Sequence, residues 1–127
     1  MKIPENNQTV MPYLILENAA GFISFTQKVF GARETFKNMQ SEDIIRHAEI
    51  MIGDDSTIMF ADATEDYKSS PASLFIYVDN ADETFEKAIR EGATVVKEIT
   101  DESYGRGGGI KDPFGNIWWV TAVSGEV

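Results

Sequence analysis

The stretch LENAAGFISFTQKVFGA, residues 16–32, decides the fold, because a similar stretch, VDNADETFEKAIREGA, returns as residues 78–93. In each, the end of an apolar strand is followed by an asparagine, apolar residues at helical spacing and a closing glycine. Asn18 and Asn80 are good helix N-caps, since their side-chain oxygens can accept from unpaired amides of the first turn. The second stretch begins about half a chain length after the first, which predicts two similar units. The alternative is two unrelated units that share this order by chance.

Extended apolar segments before and after these helices predict strands, and polar or Gly-Asp turns separate them. The fold class is therefore α+β, with two tandem βαβββ units at 10–62 and 72–123 of a single domain, 1–127. In the first unit, the three strands after the helix should form an antiparallel meander. The predicted strands are Met11–Leu16, Arg33–Met39, Ile44–Ile52, Ser56–Ala61, Ser73–Val78, Thr94–Ile99, Gly109–Lys111 and Asn116–Val123.

Composition excludes several classes of function. Twenty-one acidic against eleven basic side chains give a formal charge of −10, which disfavours binding to nucleic acids and to anionic membranes. The chain has no cysteine and one histidine, so disulfides, thiol nucleophiles and sites with two imidazoles from one chain are excluded. No apolar run reaches the roughly 20 residues of a membrane span, and the first ten residues do not resemble a signal peptide. We therefore expect a cytoplasmic protein.

Three segments together carry a family likeness: MPYLILENAAGFISFTQKVFGA (11–32), RHAEIMIGDDSTIMFAD (46–62) and YGRGGGIKDPFGNIWWV (104–120). They resemble the vicinal oxygen chelate superfamily, which includes glyoxalase I, fosfomycin- and bleomycin-resistance proteins and extradiol dioxygenases. Within it, the chain is most similar to small PhnB-like bacterial members. The resemblance implies that the two units curl their sheets into a cup with the helices outside, and that two chains form a homodimer.

Two glycine-containing motifs in the last segment have local explanations. In DPFGN, Pro113 presets φ for a turn, Gly115 supplies a positive φ, and Asp112 can accept amide hydrogen bonds, which predicts a hairpin. The run GRGGG, residues 105–109, lacks the spacing of a phosphate-binding loop and does not precede a helix, so phosphate binding is disfavoured.

Strand alternation assigns side chains to the two faces of each sheet. On the third strand, Ala48, Ile50 and Ile52 suit the helix-covered face, so His47, Glu49 and Met51 should face the cup. The same argument gives a set of cup-facing candidates for ligand contact: Tyr13, Met51, Phe75, Tyr77 and Trp119. The alternative for these side chains is ordinary packing.

The metal centre of metal-dependent relatives is not expected here. The resemblance implies ligands at positions that this chain fills with Met11, Ser73, Trp119 and either Met59 or Phe60. Thioethers, hydroxyls and rings bind divalent transition metals poorly compared with imidazoles and carboxylates. We expect no metal ligands and no cofactor.

His47 and Glu49 are the candidate catalytic residues, because a carboxylate two residues away on the same strand face can orient or charge an imidazole. The alternative is a structural hydrogen bond. Arg106, in a glycine-rich segment near the mouth of the cup, could pair with an anionic ligand, or it could be a solvated loop residue.

The leading hypothesis is a metal-independent binding protein that holds a small, aromatic or cationic molecule in an acidic, aromatic-lined cup. One rival is a lyase or isomerase that uses His47 as general base. The other is a metal-dependent glyoxalase- or dioxygenase-like enzyme with rearranged ligands.

Overall fold

The computed structural model describes residues 1–123. The chain folds into two compact units, Met1–Pro71 and the described residues from Ala72 onward. The single-domain prediction and the exact unit limits, 10–62 and 72–123, stay predictions.

The first unit is one helix and a four-stranded mixed sheet. The sheet order is β1-β4-β3-β2, with β1 parallel to β4 and the other neighbours antiparallel, so the predicted meander is confirmed. The elements are β1 (Tyr13–Leu16), α1 (Ala19–Phe30), β2 (Arg33–Met39), β3 (Ile45–Ile52) and β4 (Ser56–Asp62).

The second unit repeats this arrangement. Its sheet order is β5-β8-β7-β6, again with the first and last strands of the unit paired in parallel. Two βαβββ units of α+β class are thus confirmed, while a cup shared by both sheets stays a prediction. The elements are β5 (Ser73–Tyr77), α2 (Ala81–Arg90), β6 (Thr94–Glu102), β7 (Gly105–Lys111) and β8 (Ile117–Val123).

Both helices begin as the sequence predicts. The Asn18 side-chain oxygen accepts a hydrogen bond of 3.0 Å from the Gly21 amide, and Asn80 accepts one of 3.0 Å from Glu83. Gly31 ends α1 in the left-handed conformation with φ 70°. No helix within residues 1–123 is long and apolar enough to cross a membrane.

In each unit, the helix covers one face of the sheet. In the first unit, Phe22 of α1 meets Phe60 of β4 edge-on, with ring centroids 4.9 Å apart, and Phe60 pairs with the fully buried Ala48. In the second unit, α2 packs so closely on β7 that a Cβ on Gly108 would lie 2.9 Å from the ring of Phe85. The opposite faces carry the candidate site residues except Arg106, which lies on the helix side of the second sheet and bonds Asp82 of α2.

The glycine run departs from the prediction, because Gly105–Lys111 is all strand, whereas the sequence predicted a strand only from Gly109. The missing side chains make this strand feasible: a Cβ on Gly107 would lie 2.2 Å from the Val120 carbonyl oxygen on the neighbouring strand. The expectation of a glycine-rich loop around Arg106 is therefore wrong. Its partner strand β6 is also longer than predicted and runs to Glu102.

The turn between β7 and β8 is organised by one buried carboxylate. Asp112 is 3% exposed and accepts hydrogen bonds of 2.9 Å from the amides of Phe114 and Asn116. Its other oxygen accepts from Asn116 Nδ2 at 3.0 Å and from the indole nitrogen of Trp118 at 2.9 Å. The DPFGN motif thus fixes both a hairpin and a buried tryptophan.

Replacement of Asp112 by alanine should lower the free energy of unfolding by about 3 kcal/mol, because it leaves buried donors without their charged acceptor. Urea unfolding measures this change. Asp54→Ala, in the exposed turn before β4, is the control and should cost less than about 0.5 kcal/mol. An Asp112→Ala variant as stable as this control would contradict the assigned role.

Candidate ligand-binding faces

We call the side of the first sheet opposite α1 the open face of the first unit; it carries Tyr13, His47, Glu49 and Met59. The registers place Tyr13 beside Met59 and Met59 beside Glu49 across three strands. Strand alternation puts these residues on the side away from Ala48 and Phe60, as predicted.

A chain of hydrogen bonds runs along this open face. His47 Nε2 lies 2.9 Å from Glu49 Oε2, and His47 Nδ1 lies 3.3 Å from the Tyr13 hydroxyl. Asn7 Nδ2 donates to the second oxygen of Glu49 at 3.0 Å. Sequence analysis paired His47 with Glu49, and the structure brings Tyr13 and Asn7 to the two ends of that pair.

The surroundings of His47 are aromatic and half-buried. Its ring centroid lies 5.5 Å from that of Tyr13 and 5.8 Å from that of Phe36 on β2. The side chains of His47 and Glu49 remain 23% and 15% exposed, so a ligand can reach both. Met51, predicted to contact ligand, is only 5% exposed and offers a ligand little surface.

The first unit also has a cavity of about 530 Å³ beside Tyr13. Strand residues form its floor, and the segment after β4 forms its far wall. Six of its lining residues are Tyr13, Ile15, Ile45, Ala61, Thr64 and Tyr67.

On the second unit, the open face is the side of the sheet opposite α2, and Trp119 lies at its centre. The indole ring covers Gly109 so closely that a Cβ there would be 2.7 Å from a ring carbon. The indole nitrogen donates a hydrogen bond of 3.0 Å to Ser73 Oγ. Close contact with a glycine and one hydrogen bond therefore fix the position of the ring on the sheet.

Two more aromatic side chains stand next to this tryptophan. Phe75 pairs with Trp119 in register, and the rings of Phe75 and Tyr77 meet edge-on with centroids 5.2 Å apart. Phe75 is 54% and Tyr77 is 68% exposed within the chain. A cavity of about 300 Å³ is lined by Phe75, Trp119, Tyr104, Lys97, Gly107 and Thr121.

Arg106 is engaged within its own unit. Its guanidinium forms two hydrogen bonds with Asp82, of 2.8 and 3.1 Å, and a third of 3.1 Å with Asp101. An anionic ligand would have to displace two carboxylates from Arg106. The hydrogen bond from Arg106 also holds the pKa of Asp82 below its ordinary value.

The predicted site residues thus lie in two sets. Tyr13, His47, Glu49 and Met51 belong to the first unit. Phe75, Tyr77, Arg106 and Trp119 belong to the second.

The positions of the relatives' metal ligands do not fit a metal ion. The Met11 sulfur accepts a hydrogen bond from the Gln8 amide, and Ser73 Oγ accepts one from Trp119. Phe60 is fully buried against α1, and Met59 supplies only a thioether. Nowhere in residues 1–123 do three or more histidine or carboxylate side chains form a group that could hold a metal. These positions therefore offer thioethers, a hydroxyl and aromatic rings in place of good metal ligands.

Two contributors were missed by sequence analysis. Asn7 lies 42 residues from Glu49 along the chain, and no local pattern reveals that contact. Gly109 could have been found, because counting outward from the DPFGN hairpin places it opposite Trp119.

The two-unit fold and these open faces define a class of small proteins with paired βαβββ units. The family model described as the glyoxalase/bleomycin resistance protein/dioxygenase superfamily matches residues 9–120. The chain belongs to this superfamily.

Comparison with individual proteins agrees with this assignment. An uncharacterized protein of Mycobacterium bovis is 30% identical over 118 residues, covering 84% of this chain and 78% of the relative. A PhnB protein from Bacillus cereus has a similar structure, with TM-score 0.73, 18% identity and coverage of 91% and 100% of the two chains. TnmS3, an antibiotic-binding protein from a Streptomyces species, matches with TM-score 0.70, 15% identity and coverage of 93% and 100%. The two structural likenesses show the fold.

Arg106→Gln should raise the pKa of Asp82 towards the ordinary aspartate value, because it removes the guanidinium that favours the charged carboxylate. A carboxylate with a lowered pKa stabilises the fold above its unfolded-state pKa, and that contribution is lost as pH falls through the lowered value. NMR titration of the Asp82 carboxyl carbon measures the shift. Lys111→Gln removes the same charge elsewhere on β7 and is the control. An unchanged Asp82 titration in Arg106→Gln would contradict the pairing.

Proposed function

We propose that the protein is a metal-independent binding protein for small molecules, and that the open face of the second unit stacks planar, aromatic ligands. The observation that carries this proposal is the close contact of the Trp119 ring with Gly109, with the indole nitrogen held by Ser73. An indole ring fixed in this way offers a preorganised stacking surface, so that little conformational entropy is lost when a ligand binds.

The neighbouring groups favour a ligand that is also cationic. The electron-rich faces of Trp119, Phe75 and Tyr77 attract positive charge, and the formal charge of −10 adds a long-range attraction. Lys97 at the rim of the cavity is itself engaged, with its ammonium 2.9 Å from Thr100 Oγ1. The name of TnmS3 states that it binds an antibiotic, which makes drug-like molecules reasonable first candidates.

A homodimer is part of the same proposal. Several large apolar side chains are more than two-fifths exposed on the chain, and contact with a second copy would remove part of this apolar surface from water. They include Phe36, Met39, Val95 and Val96. Light scattering coupled to gel filtration measures the molar mass in solution.

A cytoplasmic location also stays a prediction.

A lyase or isomerase is the second candidate, and the 2.9 Å contact between His47 and Glu49 favours it. A carboxylate that orients an imidazole is a common arrangement for general-base catalysis. In this structure, the other ring nitrogen faces the Tyr13 hydroxyl, so a proton from a substrate would reach His47 through Tyr13 or after that side chain moves.

Trp119→Ala should weaken binding of a planar aromatic cation such as 9-aminoacridine by at least about tenfold, since stacking on one ring contributes roughly 1–3 kcal/mol. Isothermal titration calorimetry measures the affinity. Gly109→Ala should cause a similar loss because the added methyl group displaces the indole. The control is Phe36→Ala, an exposed aromatic side chain of the first unit. Unchanged affinity in Trp119→Ala would refute the stacking proposal.

The enzymatic candidate has a separate test. A protein that abstracts protons should catalyse exchange of an acidic C–H of small carbonyl compounds in heavy water, which proton NMR follows. His47→Gln should slow that exchange by about 10² or more, the usual contribution of a general base. Equal rates with wild-type protein and His47→Gln would remove His47 from the mechanism.

A further inference from the structure

The cavity of about 530 Å³ in the first unit is a second site, separate in chemistry from the stacking surface around Trp119. The segment after β4 encloses it: Ser70 exchanges backbone hydrogen bonds of 2.8 and 3.3 Å with Ile15, and the Thr64 amide donates to the Tyr67 carbonyl at 2.8 Å. A cavity of this size with bonded walls is suited to a small organic molecule.

The hydrogen-bond chain on the open face determines whether the Tyr13 hydroxyl can donate or accept a hydrogen bond in this cavity. With Glu49 as a carboxylate, the 2.9 Å contact requires the proton of His47 to be on Nε2. In the neutral imidazole, Nδ1 is then an acceptor, so the hydroxyl of Tyr13 donates its proton to it. The Tyr13 oxygen keeps only lone pairs for a ligand and can accept a hydrogen bond but not donate one.

The charged groups around the cavity also favour a positive ligand. The partly buried Asp62 accepts one amide on each oxygen, from Ala19 at 2.8 Å and from Ile45 at 2.7 Å, and it keeps acceptor capacity on both. Asp66 adds a second carboxylate, and Arg46 is the single cation among the lining residues. Arg46 is exposed, so water screens its charge more than that of Asp62.

We propose that this cavity binds a protonated organic amine, with the ammonium group donating to the Tyr13 oxygen and the apolar part lying against Ile15, Ile45 and the Tyr67 ring. Donors and positive charge on the ligand complement lone pairs, carboxylates and aromatic faces on the protein. The proposal does not depend on the stacking surface of the second unit.

The experiment compares 2-phenylethylamine with 3-phenylpropionate, which share a phenyl ring and carry opposite charges, by calorimetry at pH 8. We expect the amine to bind at least about tenfold more tightly than the carboxylate. Tighter binding of the carboxylate would show that Arg46 dominates and would overturn the proposal.

Variants locate the bound amine. Tyr13→Phe should lose about tenfold in amine affinity, and because Tyr13 is half exposed, the loss of its hydroxyl should leave the fold intact. Amine binding should persist in Trp119→Ala, which removes only the stacking surface, and Tyr13→Phe should still weaken it about tenfold in that background. If Trp119→Ala abolishes amine binding while Tyr13→Phe retains it, the amine occupies the stacking surface, and this inference fails while the proposed function stands.

Discussion

The four hydrogen bonds that Asp112 accepts determine the register of the last hairpin, and the stacking surface of the second unit depends on that register. Because side chains alternate along a strand, a slip by one residue would turn Trp119 to the helix side and Trp118 to the open side. The buried carboxylate prevents this, since its bond to the Trp118 indole is available in only one register. The turn residue Asp112 thus places the Trp119 ring on the open face of the second unit.

In the first unit, a carboxylate likewise holds two elements in place. Asp62 joins the start of α1 to the start of β3 through the amides of Ala19 and Ile45, which anchors the strand that carries His47. The N-terminal segment then supplies Asn7 to the free oxygen of Glu49. Polar groups on this face are therefore arranged in a fixed order, while the second unit presents mainly rings.

Much of this architecture was predictable from the sequence. Asn18 and Asn80 cap helices through local contacts, and period-two alternation assigned His47, Trp119 and their neighbours to the correct faces. Local patterns fail where a contact spans the chain, as with Asn7, or where a residue acts by lacking a side chain. The sequence predicted the strand β7 only from Gly109, because glycine usually weakens strands, and only the packing of the neighbouring strand shows why the earlier glycines are needed.

The resemblance predicts the fold, but it does not predict the chemistry at the positions where relatives carry metal ligands. Relatives that use a metal need donors that converge on one point. Here Ser73 and Trp119 bond to each other, Phe60 packs in the core, and the two methionines supply only thioethers. Membership of the superfamily therefore indicates the scaffold, and the chemistry has to be derived from the side chains of each member.

The glycines of β7 also limit how this protein can change. A side chain at position 105 or 107 would collide with backbone oxygens 2.2 Å away, so neither site can accept a new contact residue without moving the adjacent strand. Under the proposed function, ligand preference can change more readily on β5, where Phe75 and Tyr77 are exposed. In the second sheet, β7 thus excludes new side chains at these two positions, whereas β5 can accept substitutions at its exposed positions.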